Sequence, residues 1–279
     1  MWPLVDGLHR SAALTSLGLV AGLTTRAEGS LAGSVFPQDE QDRARARLAR
    51  RLGFPEVVRV RQAHGNTVLR APFGRPGPGL TPAGAPAPAP APAEPQSRAP
   101  EGDAMWTDEP GVLLGVAAAD CVPVLVAEAS VGGSAGPGRT FIGVAHAGWE
   151  GTTKRVTGAL VRELVAVGAD VARLVAAIGP SIGPCCYTID EARAAVIRER
   201  LGEGPWLRGG SSVGKDLRWS FDLWGANATQ LADAGVGKIE VSGLCTRCGG
   251  ADLWSHRSRG ERGPQGIGLA VLGRPKGDR

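Results

Sequence analysis

Three side chains able to bind a transition metal occur in similar local settings. His64 lies in QAHGN, Cys121 in AADCVP and His146 in VAHAGW. Each stands beside an apolar run and is flanked by glycine, alanine or proline, small neighbours that leave the reactive atom room to face a cleft. Two imidazoles and a thiolate suit Zn²⁺, with bonds of about 2.0–2.1 Å to nitrogen and about 2.3 Å to sulfur. Three protein donors leave a fourth position for water or substrate, which is the pattern of a catalytic centre. The other reading is two hydrogen-bonded histidines and a buried thiol that never meet. No ligand signature of the C-x-x-C…H-x-x-H kind is present, so spacing leaves both open.

Alternating strands and helices would have to position these groups. Val57 to Gln62 and Thr67 to Arg70 read as short strands flanking a turn at His64-Gly65-Asn66. Val112 to Ala118, Val122 to Val126, Thr140 to Ala145, Leu174 to Ile178, Ile239 to Ser242 and Ile267 to Leu272 are apolar runs of strand length. Val156, Leu160, Leu164 and Val167 recur at helical spacing, with Gly168 placed to cap the end. Asp190 is placed to cap a helix running to Leu201, and Asp222 one ending near Ala234-Gly235. The expected fold is α+β: mixed β-sheets with helices packed on them, in a single large domain spanning residues 1–279. Ten of the 21 prolines fall between Pro72 and Pro100, around APAPAPAPAEP. Such a segment cannot pack a core, so residues 72–102 are expected to form a mobile Pro/Ala-rich insertion.

A chain of 279 residues that is 43% hydrophobic buries enough core to fold without a disulfide or metal. The net charge of +4 comes with no lysine-rich block and no basic stripe interleaved with aromatics. That pattern argues against a dedicated nucleic-acid binder, whose affinity needs clustered phosphate contacts. No apolar run approaches the roughly 20 residues of a membrane-spanning helix. Ser11 to Leu23 is mostly apolar and follows His9-Arg10, but Asp6 lies upstream, Thr24-Thr25-Arg26 follow directly and no convincing small-residue cleavage site appears, so a signal peptide is not expected. Five cysteines, two of them adjacent, make a poor disulfide framework and suit a reducing compartment. A cytoplasmic location is expected.

The chain resembles the YfiH/YlmD family, also called the multicopper polyphenol oxidase or laccase-domain family. The matching stretches are TTRAEGS (Thr24 to Ser30), QAHGNTV (Gln62 to Val68), DAMWT (Asp103 to Thr107), VAAADCVPVLV (Val116 to Val126) and GVAHAGWEGT (Gly143 to Thr152). AAIGPSIGPCCYTI (Ala176 to Ile189), FDLWGANATQL (Phe221 to Leu231), VSGLCT (Val241 to Thr246) and SHR (Ser255 to Arg257) follow in family order. The resemblance implies a YfiH-like fold with His64, Cys121 and His146 as ligands of Zn²⁺, copper being the other metal to consider.

It further implies phosphorolysis of the purine nucleosides adenosine, inosine and methylthioadenosine, with phosphate as co-substrate, together with deamination of adenosine. Arg26 falls on an arginine of the family pattern, and its fork of donors suits phosphate. Asp120, beside the cysteine ligand, is placed to orient a histidine or carry a proton. These two are the catalytic candidates. Gln62, Asn66, Thr152 and Arg257 are the substrate-binding candidates, although Gln62 and Asn66 could equally tie down the His64 turn. Cys185-Cys186 is expected in a wall of the site. Cys245 and Cys248 form a lone C-x-x-C, for which a zinc ribbon would need a second pair. Structural roles are expected for these cysteines. The protein is expected to be a monomer or small homo-oligomer.

A full laccase is excluded by its histidines. Several copper centres consume many imidazoles, and this chain has four. A single copper in a His₂Cys site, with Met105 as a conceivable axial ligand, keeps a copper-binding polyphenol oxidoreductase as one alternative. An amide hydrolase acting on peptidoglycan precursors is the other. The zinc-deaminase signature H-x-E…P-C-x-x-C is absent, so any deamination uses another scaffold. Two departures touch the substrate side: Glu150 stands where the family carries arginine, and Ser258 where it carries a second one.

Overall fold

Two six-stranded sheets lie face to face in the computed structural model, which describes residues 1–73, 99–129, 140–209, 212–213 and 216–276. The first sheet runs β1 (Leu4–Val5), β2 (Leu8–Arg10), β3 (Val20–Thr24), β17 (Gly268–Gly273), β7 (Leu113–Ala118) and β4 (Val57–Val58). The second runs β16 (Lys238–Val241), β10 (Leu174–Ile178), β8 (Val122–Glu128), β9 (Ile142–Ala147), β6 (Ala104–Thr107) and β5 (Val68–Arg70). A small sheet joins β11 (Thr188–Ile189), β15 (Trp219–Phe221) and β12 (Leu207–Arg208), and β13 (Ser212–Val213) pairs with β14 (Asp216–Leu217). Among the described residues the α-helices are α1 (Ala12–Thr15), α2 (Gln38–Arg51), α3 (Trp149–Thr153), α4 (Val156–Ala166), α5 (Glu191–Leu201) and α6 (Leu223–Asp233).

The layering follows from strands that are apolar on both faces. Along β8, Val122, Val124 and Val126 join the cluster containing Leu160 and Leu164 of α4 and Leu231 of α6. The intervening Leu125 and Ala127 join the cluster between the sheets, with Leu114 and Val116 of β7 and Ala270 and Leu272 of β17. The outer face of the first sheet is closed by α2, where Leu48 and Ala44 meet Leu113, Leu269 and Val271. The result is a helix, sheet, sheet, helix stack with no closed barrel, and the α+β reading holds. No helix among the described residues is long and apolar enough to cross a membrane.

Local signals worked where capping chemistry is explicit. Asp190 accepts from the Arg193 amide at the start of α5, and Asp222 from the Gly225 amide at the start of α6. Gly168 and Gly235 take positive φ angles of 109° and 91°, which suit glycine after α4 and α6. Other expectations shift. The run 57–62 does not pair with 67–70. β4 is parallel to β7 in one sheet and β5 is parallel to β6 in the other, so the His64 turn crosses between sheets. β9 extends to Ala147, which puts His146 inside the strand. The apolar stretch 11–23 supplies α1 and most of β3. The highly charged α2 was not anticipated, because only a narrow stripe including Ala44, Leu48 and Ala49 is apolar and buried. Residues 74–98 of the Pro/Ala-rich stretch lie outside the described residues. Its C-terminal end is tied down, with the Arg61 amide donating to Pro100 and the Gly102 amide to Arg61.

Candidate metal centre

The donor atoms of His64, Cys121 and His146 all lie within 4.8 Å of one another, at one end of the second sheet. Register explains the meeting. Pro123 of β8 faces His146 of β9, so the residue before β8, Cys121, comes beside Gly148, just past β9. A Cβ built on Gly148 would stand 2.9 Å from Cys121 Sγ and 3.4 Å from His64 Cδ2. The hydrogen in place of a side chain is what admits the sulfur. His64 is held with φ +58° and Asp120 with φ +89°, left-handed backbone that non-glycine residues seldom take. Left-handed residues of this kind cluster at functional sites.

Asp103 organises the histidines. Its Oδ1 lies 3.0 Å from His146 Nδ1 and accepts the His64 amide at 3.0 Å. Its Oδ2 accepts the amides of Ala63 and Gly65 at 3.1 and 2.6 Å. One buried carboxylate thus shapes the His64 turn and fixes the proton of His146 on Nδ1, freeing Nε2 for a metal. The two rings meet edge to face at 4.9 Å. Sequence reasoning passed over Asp103, although it opens the DAMWT stretch.

The electrostatics are those of a thiolate between two imidazoles. Burial alone would push the Cys121 thiol up, but the charge on His146 and hydrogen bonds from both rings bring it down to about 6. Burial would lower His146, yet the Cys121 thiolate and the bond to Asp103 carry it up to about 9. His64 is also raised, chiefly by its hydrogen bond to Cys121. Asp103 stays below the usual carboxylate range: burial opposes this, and His146 and the turn amides outweigh it. A thiolate, two ring nitrogens and a glycine cradle sized to the sulfur fit a zinc ion with one position open. Met105 is fully buried among the apolar side chains between the sheets.

The remaining predicted residues fall into two groups. Asp120 and Arg257 are brought together: Asp120 Oδ2 accepts the Arg257 amide at 2.6 Å, and Oδ1 accepts Thr246 Oγ1 at 2.6 Å. Asp120 orients this loop, and no hydrogen bond joins it to His64 or His146. Gln62 is spent on the backbone of Ala117, donating to its carbonyl and accepting its amide. Asn66 donates to the Lys154 carbonyl. Thr152 is fully buried and accepts from Asn227. These three brace the site. Arg26 lies 4.4 Å over the Trp254 ring, in a cleft of about 240 Å³ whose lining includes Ser30, Phe36 and Arg47 but not His64, Cys121 or His146. Glu150 pairs with Lys154 at 3.2 Å, and the same ammonium donates to the His64 carbonyl at 2.8 Å.

Near His64, Cys121 and His146 stand two aromatic–arginine pairs, of whose four residues sequence reasoning had named only Arg257. The Arg193 guanidinium lies 5.0 Å from the Trp149 ring, and that of Arg257 lies 5.2 Å from the Tyr187 ring. Burial pushes the Tyr187 hydroxyl up to about 12; both arginines pull it down, while Cys121 and Asp120 add to the rise. Residues spread over 120–257 therefore share one electrostatic neighbourhood. GPCCY was the available signal for Tyr187.

A purine nucleoside phosphorylase of Deinococcus radiodurans is 35% identical over 272 residues, covering 94% of this chain and 91% of that protein. Adenosine deaminase RL5, from an unknown prokaryotic organism, is 35% identical over 169 residues, 59% of this chain and 60% of the relative. The crystal structure of YlmD from Geobacillus stearothermophilus superposes with a TM-score of 0.75 at 31% identity, covering 98% of both chains. The model of the family described as multi-copper polyphenol oxidoreductase laccase matches residues 30–272. The chain belongs to that laccase-like YfiH family.

Proposed function

We propose that the protein is a zinc-dependent purine nucleoside phosphorylase acting on adenosine, inosine and methylthioadenosine, with adenosine deaminase activity. The observation that carries this reading is the convergence of His64, Cys121 and His146, with His64 exposed, in the same part of the fold as Trp149, Tyr187, Arg193 and Arg257. The names of the relatives supply the substrate class. A zinc ion held there supplies Lewis acidity toward an anionic oxygen or a water molecule.

The chain's own residues do the positioning. Trp149 and Tyr187 offer flat apolar surface to a purine, and the forks of Arg193 and Arg257 suit phosphate. Phosphorolysis forms a bond from phosphate oxygen to the ribose carbon and breaks the bond to the base, which leaves with the electron pair. Fixed guanidinium groups next to that carbon hold the attacking anion in line and offset its charge. Asp120 keeps Arg257 in place through its backbone amide. Arg26, in a separate cleft, is left a distal anion contact.

Incubation of the zinc-loaded protein with adenosine and phosphate tests the reading. Adenine and ribose 1-phosphate are expected, abolished by a chelator and restored by zinc. Inosine formed without phosphate reports the deaminase activity. Absence of either product from the zinc-loaded protein overturns the proposal.

A further inference from the structure

Cys185, Cys186, Cys245 and Cys248 come from two segments about 60 residues apart in sequence, yet their four sulfurs all lie within 4.8 Å of one another. The C-x-x-C that lacked a second pair in sequence finds it in the adjacent cysteines of GPCCY. The Gly183–Tyr187 segment curls into a tight turn, with the amides of Cys186 and Tyr187 both donating to the Gly183 carbonyl. The other segment is also a turn, closed by the Gly249 amide on the Cys245 carbonyl at 2.7 Å. Cys245 Sγ accepts the Gly183 amide at 3.3 Å and is further approached by the amides of Arg247 and Cys248. Backbone amides aimed at one sulfur favour its thiolate, the form that binds metal. The Sγ atoms of Cys185 and Cys248 are 3.5 Å apart. Sulfurs bonded to one zinc at about 2.3 Å with tetrahedral angles stand about 3.8 Å apart, whereas a disulfide needs about 2.05 Å.

We propose that these four cysteines form a second, structural metal site, a tetrathiolate that takes a soft tetrahedral divalent ion, Zn²⁺ by preference. The proposal does not rest on the phosphorylase reading, because its donors are sulfurs that the His₂Cys centre does not use. Its place in the fold gives it a task. Thr246, between two of the cysteines, donates to Asp120 Oδ1, and the Ile182 amide, just before the others, donates to the Asp120 carbonyl at 2.9 Å. The Thr246 amide donates to Ser181, and Ser181 pairs with Cys245 as an isolated bridge. An ion joining the two turns staples together the segments that hold the Asp120–Cys121 loop, with all four donors filled by protein and no position open for catalysis.

Metal content per chain tests this on protein prepared under reductant. Two zinc ions are expected in the wild type, one in Cys121→Ser and one in the Cys185→Ser/Cys248→Ser double variant, whose substitutions are at exposed positions. Cobalt substituted into Cys121→Ser is expected to give the intense bands of a tetrahedral tetrathiolate. This readout stands even where the double variant fails to fold. One zinc in the wild type with none in Cys121→Ser overturns the second site. So does a mass lower by two hydrogens per bridge at these cysteines, which makes the cluster a pair of disulfides. Zinc kept in Cys121→Ser but absent from the double variant upholds the tetrathiolate, even if the wild type holds only one ion and the His₂Cys reading fails.

Discussion

Asp103 Oδ1 stands 3.0 Å from His146 Nδ1, and the same carboxylate holds the amides of residues 63–65. One buried side chain therefore sets both the orientation of one ligand and the loop that carries another. Asp103→Asn loses the charge that favours the His146 ring proton and replaces one acceptor oxygen with a donor. Its zinc affinity is expected to fall about 10–100-fold, the usual effect of removing such a partner. Competition with a chromophoric chelator measures it. An affinity within twofold of the wild type contradicts the role given to Asp103.

Gly148→Ala is expected to lose metal while keeping its fold. The backbone at Gly148 has φ −67°, which alanine adopts freely, so the cost is steric and falls on Cys121 Sγ. Metal content and thermal unfolding of the metal-free protein, read together, check this. Unchanged zinc binding refutes the cradle, and collapse of the metal-free fold assigns Gly148 to general packing instead.

Zinc binding is expected to strengthen with pH and to level off above about 9. With Cys121 brought down to about 6, the thiolate is already present at neutral pH; with His146 raised to about 9, its Nε2 proton must leave before a metal can bind. The raised pKa therefore penalises binding below 9, and the depressed one adds a second penalty below 6. About one to two protons should be released per zinc at pH 7.5. Calorimetry in buffers of different ionisation enthalpy counts them, and no proton release refutes the pairing described.

The Glu150–Lys154 pair changes what the departure from the family arginine means. Glu150→Gln removes a partly exposed i,i+4 ion pair, worth about 0.3–0.5 kcal/mol on a helix, and stability should move no further than that. Lys154→Ala removes the ammonium from the His64 carbonyl and should weaken zinc binding more than Glu150→Gln does. Equal zinc affinity in the two variants contradicts the role of Lys154.

The grouping of His64, Cys121 and His146 was legible only through the family resemblance, because their positions beside apolar runs among small residues left open whether the three side chains meet. Asp103 was not, because its meaning lies in amides 38 to 40 positions upstream and a ring 43 downstream. Gln62, Asn66 and Thr152 look like substrate contacts by type, yet their polar atoms are used by the backbones of Ala117 and Lys154 and by Asn227. The cysteine cluster failed to show for a similar reason: a lone C-x-x-C and a vicinal pair become one constellation only when Ser181 pairs with Cys245. Helices capped by Asp190 and Asp222 were read correctly, whereas α2 hides its narrow buried stripe among charges.

The central claim is that one ion is shared by His64, Cys121 and His146. Diffraction from zinc-soaked crystals on either side of the zinc absorption edge tests it most directly. The account predicts an anomalous peak about 2.0–2.1 Å from one nitrogen of each ring and about 2.3 Å from Cys121 Sγ. Anomalous density confined to other sites at saturating zinc, with these three side chains bare, would contradict it.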